Sequence, residues 1–205
     1  MKIFPTLQAA KWLPVNLNAM ALDRFPPETN EKPPAGWFSA VLHDLGQDEI
    51  LYGGFLEDRR WMHKGYYMDP DNHCHWGIDF WVPEYTPVTV PAQCEVIHTD
   101  FSNDGQGDWG GVVYFALSRN DFFMYGHMQP ESLPSRGSIV RPGQIAGLVG
   151  PRTVNGNWTP HLHVQRFTNE RYQLHKHDLI KMDGYGPLGE APVGIVDPLP
   201  LVTAR

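Results

Sequence analysis

Little in this chain ties it to a membrane, to nucleic acid or to a disulfide framework. Only two cysteines occur in 205 residues, Cys74 and Cys94. Two free, buried thiols are the expectation; a Cys74–Cys94 bridge stays open, because spacing alone supplies no geometry. Basic residues are outnumbered, 16 Lys and Arg against 23 Asp and Glu, for a formal net charge of −7. That balance excludes a basic patch that would track phosphates, so no nucleic-acid partner is expected, and long-range attraction to an anionic polymer is disfavoured. No apolar run approaches the length of a membrane span. The first twenty residues are broken by Lys2, Pro5, Lys11 and Pro14, so they hold no apolar core of the kind a secretory leader requires. The expected location is the cytoplasm, or outside the cell by a non-classical route.

Turn formers, in contrast, are plentiful. The 20 Gly and 19 Pro imply many turns and long loops, and a hydrophobic content of 41% is enough for one ordinary core. Alternating apolar runs predict strands at 75–82, 87–90, 93–99, 111–118, 121–127, 145–149 and 161–168, separated by turns such as Asn103-Asp-Gly, Pro142-Gly and Asn155-Gly. The fold class expected is mainly β: an antiparallel sheet or sandwich-like core with long loops and an irregular N-terminal arm. Residues 1–35 are read as that arm and 36–205 as a single domain, with its motif-bearing core at 71–168 and a C-terminal extension at 169–205. The segment Trp37 to Leu45 reads as a strand or a short helix.

Three histidine phrases carry the chemistry: His75-Trp-Gly-Ile-Asp79, Tyr125-Gly-His127 and His161-Leu-His163. On a strand, side chains two or four apart share a face. His75 and Asp79 would then face one way with Trp76, Ile78 and Phe80 behind them. His161, His163 and Gln165 would share a second polar front, backed by Leu162 and Val164. Two such strands can bring two imidazoles and a carboxylate to one ion. That donor set suits zinc and leaves a position open for water, whose pKa zinc lowers from about 15.7 to roughly 7. A hydrolase also needs groups that accept and donate protons, and spare histidines suit both roles.

The order His-x-x-x-Asp, aromatic-Gly-His, His-x-His resembles the lysostaphin-type zinc metallopeptidases, which cleave peptidoglycan peptides. The text between the motifs agrees: Thr86-Pro-Val, Gly137-x-Ile-Val-x-Pro-Gly-Gln-Ile-Ala-Gly and Pro160-His-Leu-His fall in the same order. Val196-Asp-Pro-Leu199 echoes the family's usual ending. The resemblance implies one zinc ion per chain, held by His75, Asp79 and His163, with His127 and His161 as the catalytic histidines. It implies a peptide substrate, a peptidoglycan stem or cross-bridge. A tyrosine often assists the oxyanion in this family; Tyr66 and Tyr67 are the candidates here, and Trp158 is a candidate for lining the groove. The oligomeric state is not legible in the sequence.

A narrower resemblance qualifies the substrate. Gly53 to Arg60 and Asn155 to Gln165 look like a subgroup of these domains fused to intracellular aminotransferase and kinase-like enzymes. This opens two alternatives: an intracellular metallohydrolase of a non-wall amide, or a catalytically silent regulator of the same fold. The D-alanyl-D-alanine dipeptidase type, which also uses two histidines and an aspartate, places a glutamate shortly before its last histidine; no acid lies in the ten residues before His161. Asp100 to Gly105 resembles half a calcium loop, but position twelve is Gly111, so a hairpin turn is expected. His73 is read as a solvent-facing loop residue, and His43, His63, His98, His175 and His177 as surface or packing residues.

Overall fold

In chain order, the strands and helices of the computed structural model, which describes residues 2–26, 36–46, 48–60, 71–103, 108–189 and 192–203, begin with β1 (Lys11–Pro14), α1 (Leu17–Arg24), α2 (Trp37–His43), β2 (Glu49–Gly53) and β3 (Glu57–Asp58). They continue through β4 (Cys74–His75), β5 (Ile78–Phe80), β6 (Pro87–Thr89), β7 (Cys94–Ser102), β8 (Gly110–Ala116) and β9 (Asp121–Met128). The last are β10 (Ile139–Val140), β11 (Ile145–Leu148), β12 (Leu162–Thr168), α3 (Asn169–His175), β13 (Tyr185–Gly186), β14 (Ile195–Val196) and α4 (Leu199–Thr203). Among the described residues the main sheet has nine strands, ordered β1-β2-β5-β12-β9-β8-β7-β10 with β14 beside β12. Its pairs are antiparallel except β1 with β2. The expected mainly-β, antiparallel architecture is the one observed.

Alternation explains how this sheet divides its faces. Ile78, Phe80, Val113, Phe115, Phe123, Tyr125, Leu162 and Val164 point into one core with Ile3 and Phe4 from the amino terminus. The intervening residues Val112, Tyr114, Phe122, Met124 and Phe167 point the other way and pack under Leu179 and Met182. Burying side chains of this size gains roughly 1.5–3 kcal/mol each, which fixes the register of the strands that carry the polar residues.

Two expectations change. Residues 11–24 form a strand and a helix rather than an irregular arm: β1 adds in parallel to β2, and Asn16 caps α1 through a 2.7 Å bond from Ala19 N to its Oδ1. Trp37 to His43 is helical because Trp37, Phe38 and Val41 share the i, i+1, i+4 face that packs on Leu17, Leu51 and Trp81. The second change is at 75–82, which is not one strand. Cys74–His75 pairs with β3 and β13 in a separate small sheet, whereas Ile78–Phe80 lies in the main one. The chain crosses between sheets at Trp76-Gly77. Both cysteines are buried and free. Asp100 and Ser102 lie within β7, paired with Val112 and Gly110 of antiparallel β8, while the expected turn at Asp104-Gly105 lies outside the described residues.

Candidate metal centre

Register places the first two polar groups opposite each other: His163 on β12 pairs with Asp79 on β5. His75 arrives from the small sheet, where it pairs with both Glu57 and Tyr185. Strand parity between His75 and Asp79 is therefore not what brings them together; the crossing at Gly77 is. A Cβ at Gly77 would lie 2.3 Å from His163 Cε1 and 2.8 Å from Val164 O, so only glycine lets the crossing pass this close to the imidazole.

His75, Asp79 and His163 each offer a ligand atom within 4.8 Å of the others, and all three are buried. His75 Nε2 lies 3.1 Å from His163 Nδ1, and Asp79 Oδ1 lies 3.0 Å from His163 Nδ1 and 3.5 Å from His75 Nε2. The outer nitrogens assign the protons. His75 Nδ1 donates to Gly54 O at 2.8 Å, and His163 Nε2 donates to Gln165 Oε1 at 3.3 Å. The neutral rings then turn lone pairs inward at His75 Nε2 and His163 Nδ1, toward a carboxylate oxygen. Three acceptors converge with no proton between them, which is the chemistry of a cation site. The donor set fits a metal ion.

Electrostatics support neutral imidazoles. Burial, then the Arg59 cation, push the His75 imidazole down to about 3. Burial alone would raise the Asp79 carboxyl, but its polar neighbours, the Arg59 cation among them, outweigh it and hold the group well below the usual carboxylate range. Burial followed by the His161 and His163 rings keeps His127 well below an ordinary histidine, and burial lowers His161 as well.

His161 donates from Nδ1 to Thr159 O at 2.8 Å, which leaves Nε2 as an acceptor 3.8 Å from Asp79 Oδ1. The His127 ring stands 4.2 Å from that of His161, centroid to centroid. Its placement depends on a bulge. Gly111 pairs with Met128 and Val113 with Tyr125, so β9 carries one extra residue across this interval. His127 takes φ +60 there, its N–H bonding to Trp109 O and its carbonyl accepting from Gly150 N. Regular alternation would send His127 to the face opposite Gly126; the bulge re-aims it toward His163. Trp158 lines the same cavity, its indole stacked on Phe38 at 6.2 Å.

Other expectations divide. Tyr66, Tyr67 and His63 lie outside the described residues. His73 is buried rather than solvent-facing, its Nδ1 3.0 Å from Asp58 Oδ1, because β3 covers it. His43, His98, His175 and His177 do not line the cavity. Sequence reasoning did not single out Arg59, Trp109, Asn155, Asp183 and Tyr185, which do line it. They come from loops and short strands with no periodicity to betray them. Gln165 was placed on the ligand face by parity, and that signal was sufficient.

Residues 73–174 match Peptidase family M23. The chain is similar to lysostaphin of Staphylococcus staphylolyticus, 29% identical over 145 residues, covering 67% of this chain and 28% of that protein. It is also similar to the glycyl-glycine endopeptidase ALE-1 of Staphylococcus capitis, 30% identical over 115 residues, covering 55% of this chain and 30% of that one. The chain thus spans less than a third of the length of these curated relatives. Among solved structures, the catalytic domain of lysostaphin from Staphylococcus simulans aligns with a TM-score of 0.47 at 24% identity, over 67% of this chain and 86% of that one. A zinc-containing peptidase from Vibrio cholerae aligns at 0.41 and 26%, over 47% and 28%. Through residues 73–174, which contain His75, Asp79, His127, His161 and His163, the chain belongs to Peptidase family M23.

Proposed function

We propose that this protein is a zinc-dependent endopeptidase that hydrolyses peptide bonds of peptidoglycan or of a related short peptide. The observation that carries the reading is the convergence of three proton-free acceptors, His75 Nε2, Asp79 Oδ1 and His163 Nδ1, beside the free acceptor face of His161. A zinc ion held by those three would supply Lewis-acid activation of water and of the scissile carbonyl. The chain's own residues do the rest. His161 accepts the proton of the attacking water at Nε2, its ring held by the Nδ1 bond to Thr159 O, and returns that proton to the departing amine nitrogen. His127, neutral at rest, offers an N–H to the carbonyl oxygen as negative charge builds there. With the two rings 4.2 Å apart, a proton on one disfavours a second on the other.

Trp109 shapes what can enter. Its indole lies 5.1 Å from the His163 ring and 5.7 Å from that of His127. A wall so close to both favours substrate residues with small or absent side chains at the scissile bond. The glycyl-glycine activity named for ALE-1 agrees with this. Residues 36–205 are taken as the metallopeptidase domain, completed by β1 and α1. The test is incubation of zinc-loaded protein with purified peptidoglycans of several cross-bridge types, with new amino termini identified by mass spectrometry. His161→Ala should keep about one zinc per chain and lose hydrolysis by roughly 100-fold or more. Full activity in that variant removes His161 from the role given it.

A further inference from the structure

Arg59 is 2% exposed, on the far side of Asp79 from the proposed ion. Its Nη1 donates to Asp79 Oδ2 at 2.7 Å and to the Tyr185 hydroxyl at 3.0 Å, and its Nε donates to Glu57 Oε2 at 2.9 Å. Glu57, itself 5% exposed, accepts Asn18 N on its other oxygen at 3.1 Å, in the first turn of α1. Gly54, at φ +108, makes the space: a Cβ there would lie 2.2 Å from Arg59 Nη2 and 2.7 Å from His75 Nδ1. A buried ion pair is expensive to desolvate, and an apolar set of the same volume is often as stable or more so. Its presence behind a ligand calls for a purpose other than stability.

The geometry points to Arg59 as a positioning residue that holds Asp79 as a one-oxygen metal ligand; the inference rests on the metal site proposed above. Asp79 turns Oδ1 toward His75 and His163 and commits Oδ2 to the guanidinium. To chelate with both oxygens it would have to break a charge-assisted bond, the strong kind. Coordination is thereby kept low, and positions stay open for water and for the scissile carbonyl. The guanidinium also withdraws charge from the carboxylate, making it a weaker donor and leaving the ion a stronger Lewis acid. Arginine suits the task where lysine does not, because its planar fork reaches Glu57, Asp79 and Tyr185 at once. Glu57 neutralises the cation, and α1 holds Glu57 in place.

Cobalt substitution reads the oxygen count without reference to turnover, since the intensity of the visible band depends on coordination number and geometry. The protein is compared with Arg59→Lys and with Glu57→Gln/Arg59→Gln, which neutralises both buried charges together and strands neither. In the double variant Oδ2 is released, coordination rises, and the band should weaken by roughly twofold or more. Chelator competition should find cobalt held at least as tightly as in the parent. Arg59→Lys, keeping the charge but losing the fork, should fall between the two. A folded double variant with the parent's band overturns the inference, and so does one that has lost its cobalt, since Arg59 would then serve the scaffold rather than the ligand. Should the double variant not fold, a parent-like band in Arg59→Lys overturns it alone. A parent protein that takes up no cobalt overturns the metal site itself, a result distinct from bound cobalt with an unresponsive band.

Discussion

At His163 a single hydrogen bond decides which nitrogen faces His75 and Asp79. Gln165, fully buried two residues along β12, accepts from His163 Nε2 and donates to Asp183 O at 3.4 Å. Its carbonyl is therefore turned toward the ring and cannot flip without losing both bonds. Outer partners of this type typically govern metal affinity by 10–100-fold. Gln165→Leu, of similar volume, is expected to weaken zinc by about that factor while the fold persists; titration against a chromophoric chelator measures it, and unchanged affinity would remove Gln165 from the role. His75 is served by a backbone carbonyl, Gly54 O, which no side-chain substitution can delete. The two proposed ligands differ in this respect, and His163 is the more vulnerable of the pair.

At the scale of elements, the site is assembled by two irregularities in otherwise regular strands. The crossing at Trp76-Gly77 joins the small sheet to the main one, and the bulge in β9 turns His127 inward. Gly77→Ala places a methyl against His163 and against the carbonyl of Val164. A side chain can give way but the β12 backbone cannot do so cheaply, so the expected outcome is loss of stoichiometric zinc together with a destabilisation of about 1–3 kcal/mol. Metal analysis beside a urea melt tests both parts, and a fully loaded variant of parental stability would show that the crossing has slack. The candidate ligands could be named in sequence order without either irregularity, because the motif spells the residues and not their route. Parity gave the correct face for His161, His163 and Gln165, which do share β12 or its entry. It gave the correct partner but the wrong path for His75, where a glycine lets the chain change sheets.

Across the whole molecule, neutral buried histidines make the metal-free fold sensitive to acid. His75, His127 and His161 are all lowered from their ordinary value by burial first. The unfolded chain takes up protons as pH falls below about 6.5 while the folded one does not, so stability is complete above that pH and is lost below it. For His75, lowered to about 3, the loss at pH 5 is on the order of 2 kcal/mol, or roughly 4–8 °C in Tm. Asp79, depressed in the folded state, adds to the loss only at still lower pH. Melting the zinc-free protein from pH 8 to pH 4.5 should show this decline, and His75→Asn should flatten part of it; a Tm constant across the range would contradict neutral burial. The amino-terminal segment belongs at this scale too. Ile3 and Phe4 are fully buried in the main core, β1 extends the sheet, and α1 holds Glu57. Removing residues 1–24 should therefore lower Tm by 10 °C or more, on the order of 3 kcal/mol or above, without raising activity. A stable, more active truncated protein would instead mark the segment as a cover over the site.

The order of the histidine motifs, with the family resemblance it carries, named His75, Asp79, His127, His161 and His163 as candidates, and the structure gathers all five around one cavity. The β class was legible as well, because alternation is a property of neighbours along the chain. The sheet order, the crossing at Gly77, the bulge at His127 and the buried Glu57–Arg59–Asp79 relay were decided by tertiary structure. Those features depend on packing and hydrogen bonds between segments distant along the chain, as between Arg59 and Asp79 or Tyr185, and nothing in the spacing of Arg59 or Tyr185 marks them. Residue identity carried the chemistry of the site; the folded backbone set its geometry, because only the packed sheets bring distant segments within hydrogen-bond reach.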